Sequence, residues 1–493
     1  MGDDVTSTEF TGEDRKRYRA KVRRCLDVFA RMLAESKFDF ERPQIGLEIE
    51  FNLIDEHQDP AMRNAEVLHA IANSDFQTEL GQFNIEINVK PHAFAGTSTD
   101  ALEADLRASL NDAEKRSRDV GAHIVMIGIL PTLTPGDLTI EALSANARYT
   151  LLNQQIFAAR GEDLHISIDG PDRLSTYADT IAPEAACTSV QLHLQVSPQA
   201  YAGTWNAAQS LAGVQLALGA NSPFLFGKEL WRETRIALFE QATDTRPEEL
   251  KAQGVRPRVW FGERWITSIF DQFEENVTYF PALLPICDDE DPVEVLERGD
   301  TPRLQELRMH NGTIYRWNRP VYDIHRGRPH LRVENRVLPA GPTVVDILAN
   351  AAFYYGALRI LTQDDRPIWS RMSFAAAQDN FTAGARHGIN ASIYWPGLGE
   401  VPATELVLRR LLPMAYDGLD KLSVDPAVRD RLLSIIEQRC ITHVNGAEWQ
   451  AQTFHQIDAD NQPLDRRDAL REMLRRYVEH MHTNEPVHSW PTD

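Results

Sequence analysis

A chain of 493 residues with 43% hydrophobic and 8% aromatic side chains can bury a large core, as one big domain or up to about three ordinary ones. Its 51 Lys and Arg against 72 Asp and Glu give a formal charge of -21, which repels polyanions and argues against nucleic acid or an anionic membrane as partner. Four cysteines (Cys25, Cys187, Cys287, Cys440) without a CxxC pair suggest neither a zinc ribbon nor a disulfide framework and fit a reducing cytoplasm. The start "MGDDVTSTEF" lacks signal-peptide character, and no run of about 18 unbroken apolar residues offers a membrane span.

In chain order, Val22, Cys25, Leu26, Phe29, Met32 and Leu33 fall at helical spacing, predicting an amphipathic helix over 13–36. "IGLEIEFNLID" from Ile45 and "FNIEINVKP" from Phe83 alternate as strands. Asp100 and Glu103 are spaced like a capping pair, and Leu102, Leu106 and Leu110 carry a helix to about 119, ahead of the strand-like "AHIVMIGIL". The strand "SVQLHLQVS" precedes a helix over 204–219 that must end before Pro223. Residues 185–227 contain no Asp, Glu, Lys or Arg, but Gln, Asn and Pro interrupt them, which reads as buried protein interior. A further strand, "HLRVENRVL", follows, and from about 403 to 482 the pattern is helical. Without linker composition between segments, the division expected is an N-terminal helical segment over 1–43, a catalytic unit over 44–400 and a packed helical extension over 401–493.

The polar faces of four strands carry the chemistry. Glu48 and Glu50, then Asn84, Glu86 and Asn88, then Gln191, His193 and Gln195, then Arg332, Glu334 and Arg336 alternate with aliphatic residues. Ordinary half-exposed strands carry Thr, Ser and Lys there; these carry side chains that bind metals or anions in fixed geometry. If the strands share one sheet with helices on its greasy side, Glu48, Glu50, Glu86, His193 and Glu334 converge, and so many carboxylates need cations. Mg²⁺ suits such oxygen ligands, and Mn²⁺ accepts an imidazole among them more readily. HExxH and GxxxxGK[ST] are absent, while Arg319, Arg332 and Arg336 are available for phosphate oxygens. Two blander readings stay open: His193 as a structural histidine, and Arg332, Glu334 and Arg336 as a cross-strand salt-bridge ladder instead of separate phosphate and metal ligands. The run "CDDEDP" at 287–292 reads as a solvated loop.

"GLEIEF", "GQFNIEINVKP", "SVQLHLQVS", "LALGANSPFLFGK", "HNGTIYRWNRPVYD" and "HLRVENRV" together resemble the motifs of the second family of ATP-dependent glutamate-cysteine ligases and their carboxylate-amine ligase relatives, over about residues 44 to 390. The resemblance implies a glutamine synthetase-like α+β fold, a largely antiparallel sheet forming an open funnel with helices on its outer face and a C-terminal helical extension. It implies metal ligation by Glu48, Glu50, Glu86, His193 and Glu334, catalytic roles for Glu48, Glu86 and Arg336, and nucleotide contact by Arg319 and Arg336. Substrate contacts would fall to Gln191, Arg232 and Arg235. The implied reaction uses ATP with Mg²⁺ or Mn²⁺ to activate a carboxylate as an acyl phosphate that an amine converts to an amide, with glutamate the expected acid and cysteine or another amine the acceptor. Small-molecule substrates, no nucleic acid, no membrane and a homo-oligomer are consistent with it. A nucleotide or amino-acid sensor and a metal-dependent hydrolase are the alternatives, separated from a ligase by ATP turnover.

Overall fold

A computed structural model of the chain describes residues 10–40, 44–460 and 465–492. The four motif strands lie in one antiparallel, seven-stranded sheet. Its members are β1 (Ile45–Ile54), β2 (Phe76–Thr78), β3 (Asn84–His92), β4 (His123–Val125), β5 (Val190–Gln195), β6 (Asn318–His325) and β7 (Arg328–Asn335). The order is β6-β7-β5-β1-β3-β2, with β4 paired to the far end of β1. Alternation builds the layers: Leu47, Ile49, Phe51 and Leu53 of β1 sink into the main core, while Glu48, Glu50 and Asn52 take the opposite face. The predicted α+β architecture, with helices behind a largely antiparallel sheet, is the one the chain adopts.

Helix α1 (Gly12–Ala34) starts at a Thr11–Asp14 capping box and buries Tyr18, Val22, Cys25, Phe29 and Met32 in a cluster with Tyr322, Leu331 and Val333 of β6 and β7. Helix α2 (Ser98–Arg118) corrects one expectation: Thr97 is its N-cap, and Asp100 and Glu103 instead hold Arg431 at 2.7 and 2.8 Å. "AHIVMIGIL" yields only β4, because the Gly128 amide and carbonyl are taken by Asn221 and Thr188. Helix α3 (Pro198–Gly219) begins earlier than expected, since Ser197 caps it and Pro198 suits a first helical turn. Helix α4 (Val344–Leu361) is long and apolar enough to cross a membrane, yet 89% of it is buried inside the fold, as a core helix would be.

The C-terminal helices α5 (Leu412–Lys421), α6 (Pro426–Thr442), α7 (Gly446–Asp460) and α8 (Arg466–Thr483) pack against this body. Arg439 of α6 pairs with Asp346 of α4 at 2.7 Å, both side chains almost fully buried. Tyr477 of α8 accepts a hydrogen bond from Asn221 Nδ2 at 2.8 Å and donates to the Met126 carbonyl at 2.7 Å, fixing the "ANSPF" loop after α3.

Candidate active site

Register brings the polar faces together. Glu50 lies opposite Glu86, Glu48 between Gln191 and Asn88, and Glu334 between His193 and Arg319. Two groups of charge result. In the first, carboxylate oxygens of Glu50, Glu79 and Glu86 lie within 4.8 Å of one another. Ser189 N and Gln191 Nε2 donate to Glu50 at 2.6 and 2.9 Å, and Asn88 Nδ2 donates to Glu86 at 2.9 Å. Burial, followed by repulsion from neighbouring carboxylates, raises the pKa of Glu79 and Glu86; at Glu50 burial outweighs the opposing pull of Arg336. Three carboxylates this close fit a hard divalent cation such as Mg²⁺ or Mn²⁺, which takes oxygen ligands and removes the repulsion. Glu79 was not legible in the sequence: it stands just past the end of β2, outside any alternating run.

The second group is already compensated. Glu334 receives Arg319 Nη2 at 2.9 Å and Arg336 Nη1 at 2.8 Å, and the same Arg336 nitrogen donates to Gln191 Oε1 at 2.7 Å. Burial would raise the Glu334 pKa, but Arg319, Arg336 and His193 hold it well below the usual carboxylate range. Arg336 and Glu334 therefore form an ion pair rather than standing apart, while Arg332 turns outward to Asp323 at 3.2 Å and His330 at 3.1 Å. His193 Nε2 lies 3.0 Å from Glu48 Oε1, out of line for a hydrogen bond, and among the described residues neither buried ring nitrogen has a hydrogen-bond partner. Burial would raise the Glu48 pKa, but His193 beside it outweighs that and lowers it to about 2. Across from it, a Cβ on Gly46 would stand 3.3 Å from His193 Cβ, so the glycine leaves the imidazole its room.

A cleft of about 500 Å³, partly open to solvent, runs from Glu50 and Glu79 to Glu184, Arg235, Trp317 and Arg336. Arg235 Nε donates to Glu233 at 3.1 Å, Nη2 donates to the Val337 carbonyl, and Nη1 has no hydrogen-bond partner among the described residues. Its guanidinium carbon sits 5.6 Å over the Trp317 ring. Glu184, unremarked in the sequence because "APEAAC" has no strand or helix period, has a buried Oε2 with no partner among the described residues. Burial raises its pKa to about 8, against the pull of Arg336. Arg232 does not join this cleft. It precedes the helix that carries Arg235 and turns away to Glu229 at 2.7 Å and Glu448 at 3.3 Å, so the structure gives no support to a substrate contact there.

No curated protein sequence matches the chain. Among solved structures it is similar to a glutamate-cysteine ligase from Francisella tularensis in complex with AMP, at 12% identity and a TM-score of 0.54, covering 93% of this chain and 91% of that one. A bifunctional glutathione synthetase from Pasteurella multocida aligns at 11% identity and a TM-score of 0.49, over 93% of this chain and 55% of that one. The first of these likenesses establishes the fold. A model of glutamate-cysteine ligase family 2 matches residues 44–450, which takes in every strand of the sheet and both charge groups. The chain belongs to glutamate-cysteine ligase family 2 and is an ATP-dependent carboxylate-amine ligase.

Proposed function

We propose that the enzyme joins the side-chain carboxylate of glutamate to an amine, cysteine or a relative of it, through an acyl phosphate made from ATP. One observation carries the choice of acid: Glu184 Oε2 and Arg235 Nη1, unpartnered among the described residues, line the same cleft as Glu50 and Glu79. An α-ammonium against Glu184 and an α-carboxylate against Arg235 would aim a second carboxylate of the same molecule at the glutamate trio. Glu50, Glu79 and Glu86 are the residues that would hold Mg²⁺ or Mn²⁺, with Glu48, His193 and Glu334 as further ligands; such an ion supplies neutralisation of charge on the transferred phosphoryl group.

Arg319 and Arg336 exchange Glu334 for phosphate oxygens, a role their planar forks suit. Glu48, Glu86 and Arg336 are thus the catalytic residues of this reading, and Gln191 orients Arg336. The attacking amine forms the C–N bond as phosphate leaves. Residues 44–400 act as the catalytic unit and the flanking helices as its supports. A cytoplasmic setting and small-molecule substrates are supported by the charge of -21 and four free cysteines.

The test supplies ATP, Mg²⁺ and hydroxylamine with glutamate, glutarate or other acids, and assays hydroxamate and ADP. Glutamate is expected to give both, and glutarate, which lacks the ammonium, to react more slowly by on the order of a hundredfold. Equal rates would remove the Glu184 argument. ADP formed without any acid would point to a hydrolase, and ATP bound but never consumed to a sensor.

A further inference from the structure

We infer that four buried amides, Gln209 and Gln215 of α3, Asn318 of β6 and Asn335 of β7, are positioning residues that set the angle at which Arg319, Glu334 and Arg336 enter the active site. The inference rests on the reading of those three residues as part of an ATP and metal site. The amides form a continuous chain behind the sheet. Gln209 Nε2 donates to the Phe261 carbonyl at 2.6 Å, Asn318 Nδ2 to Gln209 Oε1 at 2.7 Å, and Asn335 Nδ2 to Asn318 Oδ1 at 2.8 Å. Asn335 and Gln215 close it with reciprocal bonds of 3.1 and 3.2 Å. None of the four is more than 2% exposed.

Such a chain is a poor way to gain stability, because replacing both partners of a buried hydrogen bond with apolar groups of similar shape costs little or nothing. What amides add is direction. Asn318 and Asn335 sit directly opposite each other across β6 and β7, on the helix side of the sheet. Arg319 follows Asn318, and Glu334 and Arg336 flank Asn335, all on the other face. Since successive side chains alternate, fixing the backbone rotation at the two asparagines fixes where the neighbouring charged side chains point. The device stands where it is needed: β6 is an edge strand, paired on one side only, whose twist the sheet itself constrains least. Trp205 of α3 adds a tie from Nε1 to the Asn318 carbonyl at 2.9 Å. The chain also gives a reason for two of the polar residues that interrupt the uncharged stretch 185–227, Gln209 and Gln215.

The experiment measures ATP binding in the presence of Mg²⁺ by calorimetry, together with thermal midpoints, for three proteins. These are the wild type, the double variant Gln215→Leu/Asn335→Leu, and Gln450→Leu, a control that loses an equally buried amide whose bonds go to Asn221 and not to β6 or β7. The double variant, which leaves Asn318 Oδ1 without its donor, is expected to stay folded with a lowered midpoint and to bind ATP on the order of tenfold more weakly. The control is expected to lose stability and keep its ATP affinity. Wild-type affinity in the double variant would overturn the inference. If that variant does not fold, Gln215→Asn, which keeps the amide but shortens its reach, must show the same loss of affinity, and unchanged affinity there overturns the inference equally. A wild type that binds ATP with Mg²⁺ but makes no amide removes the ligase reading and leaves this one standing; a wild type that binds no ATP removes both.

Discussion

Two groups of carboxylates share one face of one sheet, and their proton affinities diverge. Glu50, Glu79 and Glu86 face one another across β1, β3 and the end of β2, so burial and repulsion push their pKa values up. Glu48 and Glu334 stand on the same polar face, yet His193, Arg319 and Arg336 outweigh burial and hold them down. Residue type does not decide the difference. Register does, by setting Glu50 against Glu86 but Glu334 against His193 and Arg319. One group lacks enough counter-charge of its own, and the other carries it, which on the proposed function it exchanges for phosphate.

Breaking the first group should have the largest effect. Glu86→Gln keeps the shape but removes one ligand charge, so turnover with ATP and Mg²⁺ is expected to fall by on the order of a hundredfold or more. In chelator, its thermal midpoint should hold or rise, because a buried repulsion has gone. A normal kcat in this variant would break the comparison. Glu334→Gln tests the second group from the opposite side: it strands Arg319 and Arg336, and urea unfolding should report a loss on the order of 3 kcal/mol. If both variants shifted stability in the same direction, the two groups would not differ as described. The smallest effect sharpens the role of burial. Arg431 meets Asp100 and Glu103 at the surface with similar distances, and Arg431→Ala should cost no more than about 1 kcal/mol by the same measurement. A loss as large as that of Glu334→Gln would mean that solvent screening is not what separates these pairs.

The strands and their polar faces were readable because a period of two survives in a linear string, and Glu48, Glu50, Glu86, His193 and Glu334 all lie on it. Glu79 and Glu184 were not, since Glu79 stands past the end of β2, Glu184 sits in a 3-10 helix (Ala182–Ala186) too short to show a period, and each reaches the cleft only through the path of the chain. Arg232 and Arg235 look equivalent in "WRETR"; the turn into the following helix sends one to Glu448 and the other to the cleft. Asn318 and Asn335 were hidden differently. They occupy positions on the helix-facing side, where pattern reading assigns only apolar contacts, and their partners Gln209 and Gln215 lie more than a hundred residues away.

The bond from Asn221 to Tyr477 has a consequence for synthesis. The two residues are 256 positions apart, so a ribosome adding about 5–20 residues each second delivers the tyrosine roughly ten seconds to a minute after the loop it clamps. Within that interval the chain adds Arg235 and then β6 and β7, while the loop joining α3 to the Arg235 segment waits for its bond to Tyr477. The clamp on that loop therefore forms late, once the helix carrying Tyr477 has emerged.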